Sequence, residues 1–474
     1  MSLTALVNRR WITLIVLCLG ELMIVLDTTI VNVALPSIRA DLGFSETSLV
    51  WVVNAYMLTF GGFLLLGGRL GDYYGHRKLF LIGLILFTLA SLACGLANTQ
   101  LILVVARAIQ GLGGAVVSAV ALSLIMDLFT EPGEHAKAMG IYGFVCAGGG
   151  SIGVLLGGLL TSLFNWHWIF LVNLPIGIGV FMLCMNLIPS NYIQQDSSKH
   201  DIAGAFTITA SLMLAVYAIV NGNEMGWTSM SVIGMLLLAM SLLATFVAIE
   251  QRVTTPLVPL GLFRLRNLAI SNVTGVLWAA SMFAWFFISA LYMQLVLGYS
   301  AMQVGLGFLP ANLIMAAFSL GISAKMVMRF GIKIPLIAGL LMAALGLALF
   351  ARMPLNGHFV VDLLPGMLLL GLGAGIAFNP MLLAAMNDVS PKQSGLASGM
   401  INTSFMMGGA LGLAVLASFA AMRTTYLIAQ GTEAIAALNG GYQLAFVLAA
   451  VFAALGALLS TLLTSKPPSQ MAAH

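Results

Sequence analysis

Apolar stretches of about 20 residues, split by short polar connections, recur along the whole chain. A helix of that length crosses the hydrocarbon layer of a bilayer, which needs roughly 20 mostly apolar residues. Fourteen runs qualify, at about 11–36, 48–68, 79–97, 101–126, 137–161, 168–189, 202–221, 230–249, 268–297, 303–324, 334–351, 361–386, 395–420 and 441–463. Helices are expected in all of them, because lipid offers no partner to backbone N–H and C=O groups. The two longest basic-side connections, 190–201 and 250–267, flank spans seven and eight and are rich in Ser, Asp, Lys, Arg and Pro, as linkers are.

Fourteen spans put both termini on one side. With that side taken as the cytoplasm, 15 of the 19 Lys and Arg residues lie inside. Arg39, Arg352 and Arg423 lie outside, and Arg107 lies within a span. This bias orients the chain by the positive-inside rule. Composition agrees: 61% of residues are hydrophobic and 7% charged, against roughly 45–50% and 25% in a soluble domain. A soluble enzyme, a nucleic-acid binder and a disordered scaffold are excluded. The net charge of +4 is too small to imply an acidic partner. Cys18, Cys94, Cys146 and Cys184 sit in apolar runs with no metal or disulfide spacing, and read as small fillers. The first run carries two carboxylates and is too long for a cleavable leader.

Two segments recur. Gly75–Gly83, opening span three, matches Gly331–Gly339, opening span eleven; each has a basic residue six positions before its first glycine, Arg69 and Lys325. Gly111-Leu-Gly113 on span four matches Gly371-Leu-Gly373 on span twelve. The expected architecture is all-α: a six-helix half at 1–189, a linker with two inserted spans at 190–266, and a second six-helix half at 267–474. Parallel six-helix repeats around a central cavity are an alternating-access design.

Of 15 acidic residues, Glu21 and Asp27 alone lie deep in a span. A carboxyl group there must be paired, hydrated or protonated, the requirement for a group that handles protons. Six residues apart, the two point about 120° apart around the helix. Arg107 is the natural partner of Asp27, with Gln110 one turn on as a relay. The loop Gly68-Arg-Leu-Gly-Asp72-Tyr-Tyr-Gly75-His-Arg77-Lys78 suits a tight turn and a charged latch, in which Asp127 could share Arg77. Gly149, Gly153, Gly157 and Gly158 on span five, with Gly395, Gly399, Gly408 and Gly412 on span thirteen, allow close helix approach. Asn32, Asn54, Tyr56, Asn272, Trp278, Trp285, Tyr292, Gln294, Asn379 and Asn402 are candidate cavity-lining residues. The 28 methionines would make apolar walls adaptable. With no GxxxxGK[ST] sequence, no nucleotide drives the process. No metal or other cofactor is expected.

These motifs resemble the fourteen-span drug:proton antiporters of the major facilitator superfamily over nearly the whole chain. Leu26-Asp27-Thr-Thr-Ile-Val-Asn32-Val-Ala-Leu-Pro36 is similar to the span-one signature, and residues 68–78 to the span two–three motif. Arg107-Ala-Ile-Gln-Gly-Leu-Gly113 resembles the span-four motif. Trp166-His-Trp-Ile-Phe-Leu-Val-Asn-Leu-Pro175 resembles the start of span six, with His167 where Arg is usual. Pro256-Leu before Phe263-Arg fits as well. The span-five motif departs: Val154 stands where the pattern has proline. The resemblance implies a multidrug exporter of the bacterial inner membrane, driven by the proton gradient, with Asp27 and Arg107 functional and Asp72, Arg77 and Asp127 forming a latch. The expected partners are lipid, protons and lipophilic small molecules, with no nucleic acid and a monomeric chain. Few cavity charges favour monovalent lipophilic cations and neutral amphiphiles over dications. A dedicated exporter of one native metabolite (an antibiotic, siderophore or fatty acid) is the alternative.

Overall fold

The computed structural model describes residues 3–129, 131–187, 201–253, 256–389 and 394–464, and within them contains helices and no strands. The 190–200 part of the expected linker lies outside the described residues. The first half comprises α1 (Leu3–Leu42), α2 (Val50–Tyr74), α3 (His76–Gly95), α4 (Gln100–Leu128), α5 (Pro132–Leu163), and the broken pair α6 (Trp168–Leu171) and α7 (Asn173–Leu187). The inserted helices are α8 (Ile202–Met225) and α9 (Met230–Arg252). The second half comprises α10 (Arg266–Leu291), α11 (Ala301–Ala317), α12 (Ser323–Phe330), α13 (Lys333–Phe350), α14 (Leu364–Met386), α15 (Ser394–Ala429) and α16 (Ala434–Ser460). Short π-helical turns follow α10 and α11 and precede α14.

Helix starts follow local chemistry. Thr99, Asp201 and Ser229 accept a backbone N–H of the first turn, and Ser300 with Gln303 forms a capping box. Between α2 and α3 the chain turns on Gly75 at φ +94°, a conformation glycine adopts without steric cost.

Twelve segments are long and apolar enough to cross a membrane among the described residues, against fourteen expected. The remaining two runs, 137–161 and 303–324, fall on α5 and on α11 with the turn after it; their apolar helical parts are Ile152–Leu163 and Ala301–Ala317.

The halves are built alike. In the first, α1 packs on α4, α5 and α7, α2 on α4, and α3 on α4 and α7. In the second, α10 packs on α14, α15 and α16, α11 on α14, and α13 on α14 and α16. Substituting α10, α11, α13, α14, α15 and α16 for α1, α2, α3, α4, α5 and α7 converts one scheme into the other. The sequence repeat marks the helix crossings. A Cβ at Gly113 would lie 2.6 Å from Phe87 N and 3.0 Å from Gly83 O, and one at Gly373 2.7 Å from Ala343 N, with Gly339 O also against it. Across the interface α2 meets α15 and α5 meets α11, pairs that the same substitution exchanges.

Helix α8 lies on α9 and leans on both α2 and α15. The best spanning window of α9 is 17% buried, against 89% in α2, so α9 forms an outer surface.

Candidate functional site

Asp27, midway along α1, is completely buried. Its Oδ2 accepts a hydrogen bond from Arg107 Nη1 of α4. Its Oδ1 accepts from Gln110 Nε2 at 2.7 Å and from Asn173 Nδ2 of α7 at 2.9 Å. Ser91 Oγ of α3 accepts from Gln110 at 2.8 Å. Arg107 also donates through Nε to the Val52 carbonyl (2.9 Å) and through Nη1 to Gln110 Oε1 (2.7 Å). Its guanidinium carbon lies 4.4 Å from the Tyr56 ring centroid and 5.5 Å from that of Phe170, within cation–π range. Five polar side chains from four helices thus hydrogen-bond to one another in a buried core. A buried charge pair persists only when its remaining lone pairs and protons find partners.

Glu21 sits differently. It is 5% exposed; Ser118 Oγ of α4 donates to Oε1 at 3.0 Å, and the Tyr142 hydroxyl of α5 is beside the carboxyl. Oε2 has no hydrogen-bond partner, and no cation lies within ion-pair distance of the group among the described residues. The two span-one carboxyl groups therefore occupy separate environments, one paired with a guanidinium and the other served by hydroxyls.

The loop at 68–78 brings a correction. Asp127 pairs with His76 Nδ1 at 3.0 Å, not with Arg77. Arg77 donates through Nη2 to the Met185 carbonyl at 2.7 Å, so it caps the end of α7. His76 is closer because it opens α3 directly after the Gly75 turn. Gly68 faces Ala119 at ordinary contact distance, and Lys78 is exposed. The Asp72 side chain lies outside the described residues.

The expected cavity residues do not form one wall. Several tie helices together: Asn54 Nδ2 donates to Ala410 O of α15 (2.8 Å), Gln294 Nε2 to Val33 O of α1 (2.9 Å), Asn379 Nδ2 to Ser319 O (2.8 Å) and the Tyr292 hydroxyl to Pro354 O (2.6 Å). Asn32 and Asn272 bond to carbonyls of their own helices. Trp285 is packed among Phe286, Phe308 and Phe350. Trp278 instead meets Phe378 and Phe405, and Asn402 is exposed. On α5, Gly149, Gly153 and Gly157 face α1, while Gly158 faces Ala301 and Met302 of α11. Reasoning from sequence did not select Ser91, Asn173, Ser118, Tyr142, Phe378 or Phe405. Asn173 carried a signal, as an amide in an otherwise apolar run.

Two like-built sets of helices, the first of them enclosing a buried acid–base pair, fit a polytopic membrane transporter. A family model described as Major Facilitator Superfamily matches residues 17–413. The chain is 38% identical to the puromycin resistance protein pur8 of Streptomyces alboniger, covering 93% of this chain and 88% of that one. It is 37% identical to the cephamycin export protein CmcT of Amycolatopsis lactamdurans (85% and 83% covered). It is 36% identical to the multidrug resistance protein Stp of Mycobacterium tuberculosis (87% and 76% covered). The fold matches the nucleoside transporter NupG with a TM-score of 0.68 at 13% identity, covering 95% of this chain and 98% of that one. This chain belongs to the major facilitator superfamily, as a multi-pass membrane protein related to antibiotic and multidrug exporters.

Proposed function

We propose that the protein exports lipophilic drugs across the bacterial cytoplasmic membrane in exchange for protons, alternating access between its two halves. In this reading fourteen helices span the bilayer: the twelve apolar segments, α5, and α11 continued through α12. At 32 residues α5 is amply long to cross. Both termini face the cytoplasm in this reading, which the distribution of basic residues supports. The relatives named for drug resistance and export support the direction.

The observation that carries the coupling is the contrast between the two span-one carboxyl groups. Protonating Asp27 would have to displace Arg107 and leave a buried guanidinium uncompensated. Removing one partner of a buried pair costs about 3–5 kcal/mol. Glu21 has hydroxyl neighbours and a spare oxygen. Neutral Glu21 fits that pocket; ionised Glu21 calls for a cation. A proton and a lipophilic monocation therefore compete for it, which is antiport at one group. Asp27–Arg107 is the fixed dipole beside it, and no other cofactor enters the cycle.

Ethidium movement in proteoliposomes of known orientation tests this. The parent should concentrate ethidium when a proton gradient is imposed. Glu21→Gln should still equilibrate ethidium but lose gradient-driven accumulation. Full accumulation by Glu21→Gln would remove Glu21 from coupling, and no gradient-driven movement in the parent would remove the antiporter reading. The names of the puromycin and cephamycin relatives favour a second reading, a dedicated exporter of one antibiotic. Competition among unrelated substrates separates the two.

A further inference from the structure

Two further carboxyl groups are buried against each other where α8 begins and α9 ends. Asp201 caps α8 and is 3% exposed; Glu250, in the last turn of α9, is 4% exposed. Asp201 Oδ1 accepts from Gly204 N at 2.7 Å, and Glu250 Oε2 accepts from Val258 N at 3.1 Å. The other oxygen of each, Asp201 Oδ2 and Glu250 Oε1, has no hydrogen-bond donor. The two side chains are hydrogen-bonding neighbours of each other. Gly204 makes room for this, since a Cβ there would overlap the Asp201 carboxyl group.

Among the described residues, the charged groups that act on Glu250 are Asp201 and Arg69 of α2. Lys199 and His200, which precede Asp201 in sequence, lie outside the described residues. Arg69 Nη2 also donates to the Pro256 carbonyl at 2.6 Å. The segment leading into α10 is therefore gripped twice, by Arg69 on Pro256 and by Glu250 on Val258, with Leu257 buried between them. With both acids ionised, two negative charges would share one guanidinium, and two donorless oxygens would face each other. One proton between them serves both oxygens and leaves one negative charge for one positive charge. Carboxyl groups that share a site take up a single proton in this way. A metal ion suits the place less well. Two carboxylates are too few for calcium or magnesium, the guanidinium repels a cation, and no group of three or more His, Cys, Asp or Glu side chains forms a metal site among the described residues.

We propose that Asp201 and Glu250 bind one proton between them, a second proton site apart from Glu21, and that this proton fastens the inserted helices to α2 and to the segment entering α10. Its placement on the cytoplasmic side rests on the export reading. When the proton leaves, the facing carboxylates repel, and the added negative charge competes with the Pro256 carbonyl for Arg69. The grip of α2 on the segment then loosens, at the point where the first half, the inserted pair and the second half join. The site thereby reads the pH of the cytoplasm and loosens as that side becomes alkaline.

The full-length protein in detergent micelles tests this without a gradient, so failure of coupled transport would leave the result standing. The infrared spectrum of the parent at neutral pH should contain a protonated-carboxyl C=O band that is lost in Glu250→Gln and lost equally in Asp201→Asn. Either amide supplies the missing donor and leaves the remaining acid ionised, and asparagine caps a helix as aspartate does, so α8 keeps its start. The folded parent holds a proton that the unfolded chain releases, so its stability falls as pH rises through the titration of the pair. Glu250→Gln keeps its donor at every pH. Its unfolding temperature should lie close to the parent's at about pH 6 and above it at about pH 9. Absence of the band from the parent, its retention in Asp201→Asn, or a pH-independent difference between the parent and Glu250→Gln would overturn the assignment. Recovery of the parent's unfolding temperature at the alkaline pH on adding magnesium chloride would overturn it too, in favour of a metal ion.

Discussion

Both oxygens of Asp27 are engaged: Arg107 holds one, Gln110 and Asn173 the other, and the donors come from two different helices. Truncating Arg107 should therefore cost far more than truncating an ordinary polar residue. Arg107→Leu is expected to destabilise the protein by about 3–5 kcal/mol. The double variant Asp27→Asn/Arg107→Leu should lose clearly less than the sum of the singles. Thermal unfolding in detergent micelles reads both, and strict additivity would show that the pair is not energetically coupled. These two residues were legible in the sequence because a charge inside an apolar run has few bland explanations. Ser91 and Ser118 were not, and the one amide signal at Asn173 did not say what it bonds. An uncharged polar side chain in a span can satisfy itself on its own helix, as Asn32 does on the Thr29 carbonyl, so its type alone does not distinguish a network member. The pairing of Asp127 was misjudged for a related reason: three basic or titratable neighbours in sequence, His76, Arg77 and Lys78, leave the choice to helix geometry.

Among elements, α5 shows what spacing conveys. Glycines four apart share a face, but the spacing does not name the neighbour. Gly149, Gly153 and Gly157 fit against α1 within the first half, whereas Gly158, about 100° further round, receives α11. With Val154 in place of proline, the backbone donor is retained and α5 runs unbroken from Pro132 to Leu163. A Cβ at Gly158 would lie 2.7 Å from Ala301 O and one at Gly305 3.0 Å from Val154 O, and Ser162 Oγ accepts from Met302 N at 3.1 Å. These contacts close the halves at the end remote from the 68–78 loop. Gly158→Val should leave each half folded and open that end. A cysteine replacing Gln294 should then react faster with a membrane-impermeant thiol reagent than in the Gly158 parent. Gly157→Val, pressed on the Ile30 carbonyl, should lower the unfolding temperature instead. Similar labelling rates with and without Gly158→Val would place the closure elsewhere.

Over the whole molecule, the recurring glycine pairs were legible because they sit at matching helix crossings, where a Cβ at Gly113 or Gly373 would press on Phe87 N or Ala343 N. The docking of α8 was not legible, since its contacts are ordinary small and polar residues: Thr209 against Gly62, and Asn223 bonded to Ser418. At the closed end, Glu46 bridges Arg39 at 3.3 Å. Burial pushes the Glu46 carboxyl above its ordinary range, and Arg39 offsets this only in part. A raised folded value means the fold favours the neutral acid. That contribution is full below the unfolded value and is lost as pH rises through the folded one. Glu46→Gln should therefore raise the unfolding temperature at pH 8 and leave it nearly unchanged at pH 4. A drop at pH 8 would mean that the Arg39 bridge outweighs burial.

Helix α8 has one foot on each half: Thr209 rests on α2, and Asn223 holds α15. Ser211 Oγ donates to the Ala239 carbonyl of α9 at 2.7 Å, tying α8 to α9. Any rocking that parts α2 from α15 must either peel away one foot or sweep the pair sideways through the surrounding fatty acyl chains. On the proposed alternating-access cycle the pair would act as a paddle, and the viscosity of the bilayer would enter the duration of each turnover. A stiffer, more ordered membrane would slow turnover without altering affinity.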